Sequence, residues 1–174
     1  MRAILSGEVP GQIPIFKRPK PSDDGPPSDE KVAKQMRYLA ELFIRGAANV
    51  GDTFAFDTDS ALRLDGYCEE LLAGKPAGET WIHLTNAMAA YLGELVVRNG
   101  RGRWVYSHEA KVPAVQLPSG RLCFPLRKVA KRLVGGEAGR ENSLWVFYEF
   151  MMTGVIPADA KVTPRGDWNP QPGR

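Results

Sequence analysis

From Trp81 onward apolar residues return every three or four positions: Trp81, Leu84, Met88, Leu92, Leu95 and Val96 fall on one stripe. That period predicts a long helix beginning near Glu79. Asn99-Gly100 supplies its stop, because both residues tolerate the left-handed conformation that closes a helix. Ala89, Ala90 and Gly93 lie within a turn of one another and predict a surface that another backbone can approach closely. Beyond the stop the period shortens. Arg103 to Ser107, Val112 to Leu117 and Arg121 to Phe124 have strand character, and Pro118-Ser119-Gly120 marks a tight turn between the last two. A meander is the simplest connection. Pro113 lacks a backbone donor, which predicts an edge position for the second strand or pairing that begins after it.

Pro125 suits the first position of a further helix, where its missing N–H would be unpaired anyway. At about 100° per residue, with Arg127 as zero, Arg127, Lys131, Lys128 and Arg132 fall at roughly 0°, 40°, 100° and 140°. Leu126, Val129, Ala130, Leu133 and Val134 fill the opposite arc. Four cations are therefore expected on the solvent face, with Gly135-Gly136 as the end.

Ahead of this centre, Ser28 can cap a helix with Asp29 and Glu30 in its first turn and an apolar stripe through Val32, Met36, Leu39, Phe43 and Ala47. Asp57 to Ser60 offer capping oxygens for a second helix carrying Leu64, Cys68, Leu71 and Leu72. After the centre, Asn142-Ser143 can open a last helix, apolar on most of its circumference, that should be buried or paired. The fold class expected is α+β, with helices on a small three-stranded antiparallel sheet. It occupies residues 29–154, between an extended N-terminal arm at 1–28 and a Pro/Gly-rich tail at 155–174. Such Pro-rich polar ends cannot bury enough apolar surface to offset their ordering entropy.

With 174 residues and 43% hydrophobic content, one core of ordinary size is expected. The net charge of +3 announces no nucleic-acid binder by itself, but the distribution is uneven. Arg98 to Arg132 holds nine Lys or Arg against one acid, Glu109, whereas Asp52 to Glu79 holds seven acids against Arg63 and Lys75. Either the two stretches neighbour and compensate each other, or a basic surface awaits an acidic partner or a phosphate backbone. Cys68 and Cys123 are too few for a disulfide framework and should be buried free thiols. Neither a leader peptide nor a bilayer-length apolar run is evident, so a cytoplasmic location without membrane contact is expected.

Recognisable catalytic signatures are missing, including phosphate loops, dinucleotide fingerprints, zinc-protease helices and nucleophile elbows. His83 has no second ligand at helical spacing, and His108 precedes Glu109 at a strand end, so both read as structural or solvent-facing. Asp57 and Asp59 are more economical as capping groups than as hydrolase carboxylates. An unrecognised hydrolase using them or Asp65 ranks behind binding. No catalytic residue, metal or cofactor is assigned.

Tyr91-Leu92-Gly93-Glu94, Gly102-Arg103-Trp104, Phe124-Pro125-Leu126, Lys128-Val129 and Lys131-Arg132-Leu133, taken as an ordered set, resemble small bacterial domains of unknown function found in actinobacteria and elsewhere. The similarity covers roughly residues 60 to 152. It implies a small α+β domain and brings no catalytic residues with it. In size and style such domains are similar to immunity and adaptor proteins of bacterial conflict or secretion loci.

These readings converge on a non-catalytic protein-interaction module, an adaptor, immunity-like or assembly component. Its expected binding residues are Arg98, Arg101, Arg103, Arg127, Lys128, Lys131 and Arg132, with Trp168 as a docking anchor in the tail. The alternative is nucleic-acid binding through the same basic patch. That would gain from aromatics interleaved with the charges, for which Trp104 and Tyr106 are the sequence's candidates, though both pattern as core.

Overall fold

The computed structural model describes residues 25–74, 78–135 and 142–158. Among the described residues five helices and three strands follow in the order α1 (Asp29–Ala48), α2 (Asp59–Gly74), α3 (Glu79–Gly100), β1 (Arg103–Ser107), β2 (Val112–Gln116), β3 (Leu122–Cys123), α4 (Pro125–Gly135) and α5 (Leu144–Thr153). The architecture is α+β, with the helices packed against a three-stranded antiparallel sheet. Both terminal arms of the sequence reading, and Trp168 with them, lie outside the described residues.

Local chemistry starts and stops the helices. Ser28 Oγ accepts the Lys31 N–H at 3.3 Å, with Asp29 and Glu30 in the first turn of α1. Asp57 Oδ1 accepts both the backbone N–H of Ser60 (2.8 Å) and its hydroxyl (2.7 Å), which secures the start of α2. Ser143 caps α5 by accepting from Val146 N at 3.1 Å, and Gly154 closes that helix at φ 75°.

The stop of α3 differs from expectation, because the left-handed residue is Arg101, at φ 52°, rather than Asn99 or Gly100. Asn99 is engaged elsewhere: its Nδ2 donates to Phe56 O at 3.2 Å and to Tyr148 Oη at 2.9 Å. Gly100 stays helical, where an added Cβ would lie 2.8 Å from Met152 Cε.

In the sheet β2 lies between β1 and β3. This is the expected meander; of the two expectations for Pro113 the edge position is corrected, while pairing that begins after it holds on the β3 side, because β3 is short. Against β1, Pro113 pairs with Tyr106, but β3 meets β2 only at Val115 and Gln116. The donor that Pro113 lacks would have faced no strand. On the other side of the sheet the free edge of β1 is closed by α1, since Asp29 Oδ1 accepts the Tyr106 N–H at 2.8 Å.

The close approach expected at Gly93 is made by a side chain rather than a backbone. The Trp104 indole lies on Gly93, where a Cβ would stand 2.1 Å from the ring carbon Cη2. The same indole donates from Nε1 to the buried Glu94 Oε1 at 2.8 Å, and Glu94 Oε2 pairs with Arg98 Nε at 3.3 Å. A second cluster, of Phe43, Phe54, Phe56, Tyr67 and Tyr91, ties α1, α2 and α3 together with ring centroids 4.8 to 5.8 Å apart. Burial pushes the Tyr91 hydroxyl up to about 12, and that hydroxyl donates to Ala55 O.

Candidate binding face

The exposed side of α4 is narrower than its helical wheel suggests. Arg127 and Lys131 are exposed, Lys128 is half-buried, and Val134 joins the outer strip. Arg132 has 0% exposure. Its assignment to an outward binding patch is thereby corrected. At the edge of the basic arc it meets α2 rather than water: its Nε donates to Asp65 Oδ1 at 3.0 Å, and its Nη2 donates to Glu69 Oε1. Burial works against the guanidinium charge, but hydrogen bonds to Glu69 and Asp65 outweigh it and hold the group above its ordinary value.

Asp65 serves three elements at once. Besides Arg132, its Oδ1 accepts Leu144 N at 2.9 Å, and its Oδ2 accepts Ser143 Oγ at 2.5 Å and Trp145 N at 3.0 Å. One carboxylate from α2 thus caps α5 and neutralises α4. With its lone pairs engaged in this way it is placed as a structural joint. Part of the acidic and basic halves of the sequence do compensate each other here.

Three cations of this region lie over aromatic rings. Arg127 Cζ is 4.9 Å from the Phe124 ring centroid, Lys128 Nζ is 5.7 Å from that of Phe147, and Arg121 Cζ is 5.0 Å from that of Phe150. All three phenylalanines are partly exposed. Phe147 and Phe150 stand three residues apart on α5, hence on one side of it. The end of the meander, α4 and α5 therefore form one cation–aromatic face. Sequence reasoning missed Arg121, Phe124 and Phe150 as members. The signal available was the i, i+3 pair of Phe147 and Phe150 on α5, a helix expected only to be buried or paired as a whole.

Of the other expected binding residues Arg98 and Arg103 are engaged locally, and none of the contacts described for them is with α4. Arg98 stacks on the Phe56 ring, Cζ 3.6 Å from the centroid, while pairing with Glu94. Arg103 donates from Nε and Nη2 to Gln116 Oε1 at 3.1 and 2.8 Å. Arg101 is exposed in its left-handed position. The two aromatics first considered for stacking are turned inward, since Trp104 is buried and Tyr106 packs partly against the core. His83 is exposed on the wall of an apolar groove between α1 and α3, and His108 is exposed with its ring edge-on to Tyr106.

Cys68 and Cys123 are buried free thiols, each pushed up to about 12 by burial. Among the described residues no group of three or more His, Cys, Asp or Glu could hold a metal ion, and no helix is long and apolar enough to cross a membrane. Comparison with known proteins finds no matching family model, no matching curated protein and no matching solved structure.

Proposed function

We propose that this chain is a non-catalytic, cytoplasmic protein-interaction module, adaptor-like or immunity-like, whose α4/α5 face binds an acidic segment of a partner protein. The observation that carries the reading is the interleaving of Arg121, Arg127 and Lys128 with Phe124, Phe147 and Phe150, with Lys131 exposed on the same helix. Cations resting on rings offer a carboxylate a desolvated partner and an apolar side chain a surface beside it. The partner segment accordingly carries Asp or Glu next to an aromatic or aliphatic residue. Trp168, beyond the described residues, serves as a second anchor on this reading.

The same interleaving favours one further reading, a single-stranded nucleic acid whose bases stack on the phenylalanines. A photo-crosslinking residue at position 131 separates the two. The protein reading expects crosslinks at 131 to an acidic peptide segment, lost in the R121E/R127E variant. Crosslinks to nucleic acid at 131, or a yield there unchanged by R121E/R127E, would overturn it.

A further inference from the structure

A second surface stands away from the cations of α4. Between α1 and the N-terminal half of α3 runs an open groove of about 1010 Å³, walled by Leu39, Leu42 and Gly46 on one side and by Ile82 and His83 on the other, with Trp104 among its apolar lining. On α1 the wall is a helical stripe, and with Leu39 as zero its members Gln35, Leu42 and Gly46 fall within roughly 60° on one side. Leu42 is 39% exposed. Gly46 is exposed, and nothing lies within 4 Å of where its Cβ would be. An unfilled glycine on an apolar stripe, here in the last turn of α1, is where a second helix can come closest.

The rim selects the occupant. Continuing around α1 past Leu42 come Lys31, Tyr38, Arg45 and Lys34, at roughly 80° to 140° from Leu39. All four are exposed. The three cations form no ion pair among the described residues, and Arg45 Nε donates only to the backbone oxygen of Glu41, at 3.4 Å. The acids of α1 come after these cations around the helix. Asp29 is bound to Tyr106 N, and Glu41 and Glu30 follow Lys34 at roughly 160° and 180° from Leu39, so the cations stand between them and the groove. Across the groove His83 and Thr80 are exposed, His83 being the imidazole that faces this rim.

We infer that this groove docks an amphipathic helix from a partner protein, with an apolar stripe laid against Leu39, Leu42 and Gly46 and glutamates or aspartates on the flank that meets Lys31, Lys34 and Arg45. A helix of about three or four turns matches the stretch of α1 from Gln35 to Gly46. The site adds a second contact to the interaction module and does not depend on the α4/α5 face.

The probe is a synthetic helix of about 15 residues, with leucines at i, i+3, i+4 and i+7 and glutamates on one flank, followed by fluorescence anisotropy against the full chain. A counterpart with lysines in place of the glutamates is the control. Saturable binding of the acidic helix is expected, at least about tenfold tighter than the counterpart. L42E should abolish it. G46A should fold at least as stably, having open space for its methyl, yet bind the helix less tightly. The all-surface K31E/K34E/R45E variant should reverse the preference between the two helices, and it keeps the test alive if L42E does not fold. Equal binding of both helices, or indifference to K31E/K34E/R45E, overturns the inference. So does a wild-type dimer that L42E converts to a monomer. Loss of binding in R127E/K131E with L42E unaffected would place the helix on α4 and overturn the groove assignment alone.

Discussion

Arg132 Nε donates to Asp65 Oδ1 at 3.0 Å, and the same carboxylate takes the first backbone N–H groups of α5. Removing either partner should therefore have unequal cost. D65A leaves the buried guanidinium one of its two carboxylates, the half-exposed Glu69, and strands three donors at the start of α5, for which about 3–5 kcal/mol is expected. R132M leaves Asp65 with three donors and the half-exposed Glu69 in water, so a smaller loss is expected. Urea unfolding of both variants and the double mutant tests the ordering, which equal single losses would contradict.

Gly93 should give a substitution of unusual sign. Glycine to alanine inside a helix ordinarily stabilises by about 1 kcal/mol. Here the methyl would meet the Trp104 ring, so G93A should destabilise by about 1–3 kcal/mol. In a W104L background the penalty should vanish and the ordinary gain return. Thermal unfolding of the two singles and the double provides the comparison.

Burial holds both thiols at about 12, far above working pH. Neither Cys68 nor Cys123 should react with iodoacetamide at pH 8 in the folded chain, and both should react in denaturant. Mass spectrometry after a timed pulse reads this directly. Rapid labelling of Cys68 in the native protein would mean that α2 does not pack as described.

Asp57 predicts a pH dependence. The hydrogen bond from the Ser60 hydroxyl, opposed by some desolvation, holds its carboxyl below the ordinary value of 3.8. A depressed folded value contributes stability that is present above 3.8 and lost as pH falls through the folded value. D57A should lower the urea midpoint at pH 7, and the gap from wild type should close as the pH drops below 3.8. A gap independent of pH would show that the carboxylate charge contributes nothing to the start of α2.

Most of the punctuation of this fold was readable because it is local. Ser28, Pro125, Ser143 and Gly154 act within four residues of themselves, and each stands where its chemistry suggests. The stripes of α1 and α3 were readable for the same reason. Arg132 was not, since at the edge of a basic arc its direction is decided by Asp65, 67 residues away in the chain. The tolerance of Pro113 in a central strand depended on how little of β3 pairs, which the turn at Pro118 to Gly120 does not reveal. The cation–aromatic face was hidden because Arg121 and Phe124 flank β3 while Phe150 comes from α5, far along the chain. The groove was hidden because periodicity marks a stripe as apolar without saying whether anything covers it.

Charge reversal at two surface positions tests the central claim most directly. Once the acidic segment crosslinked at position 131 is in hand as a peptide, its affinity for wild type and for R127E/K131E can be measured by calorimetry at low and high salt. The account expects a loss of at least about tenfold in the variant, a weakening of wild-type binding as salt rises, and unchanged folding by circular dichroism. Affinity within about twofold of wild type in a folded R127E/K131E protein would contradict it.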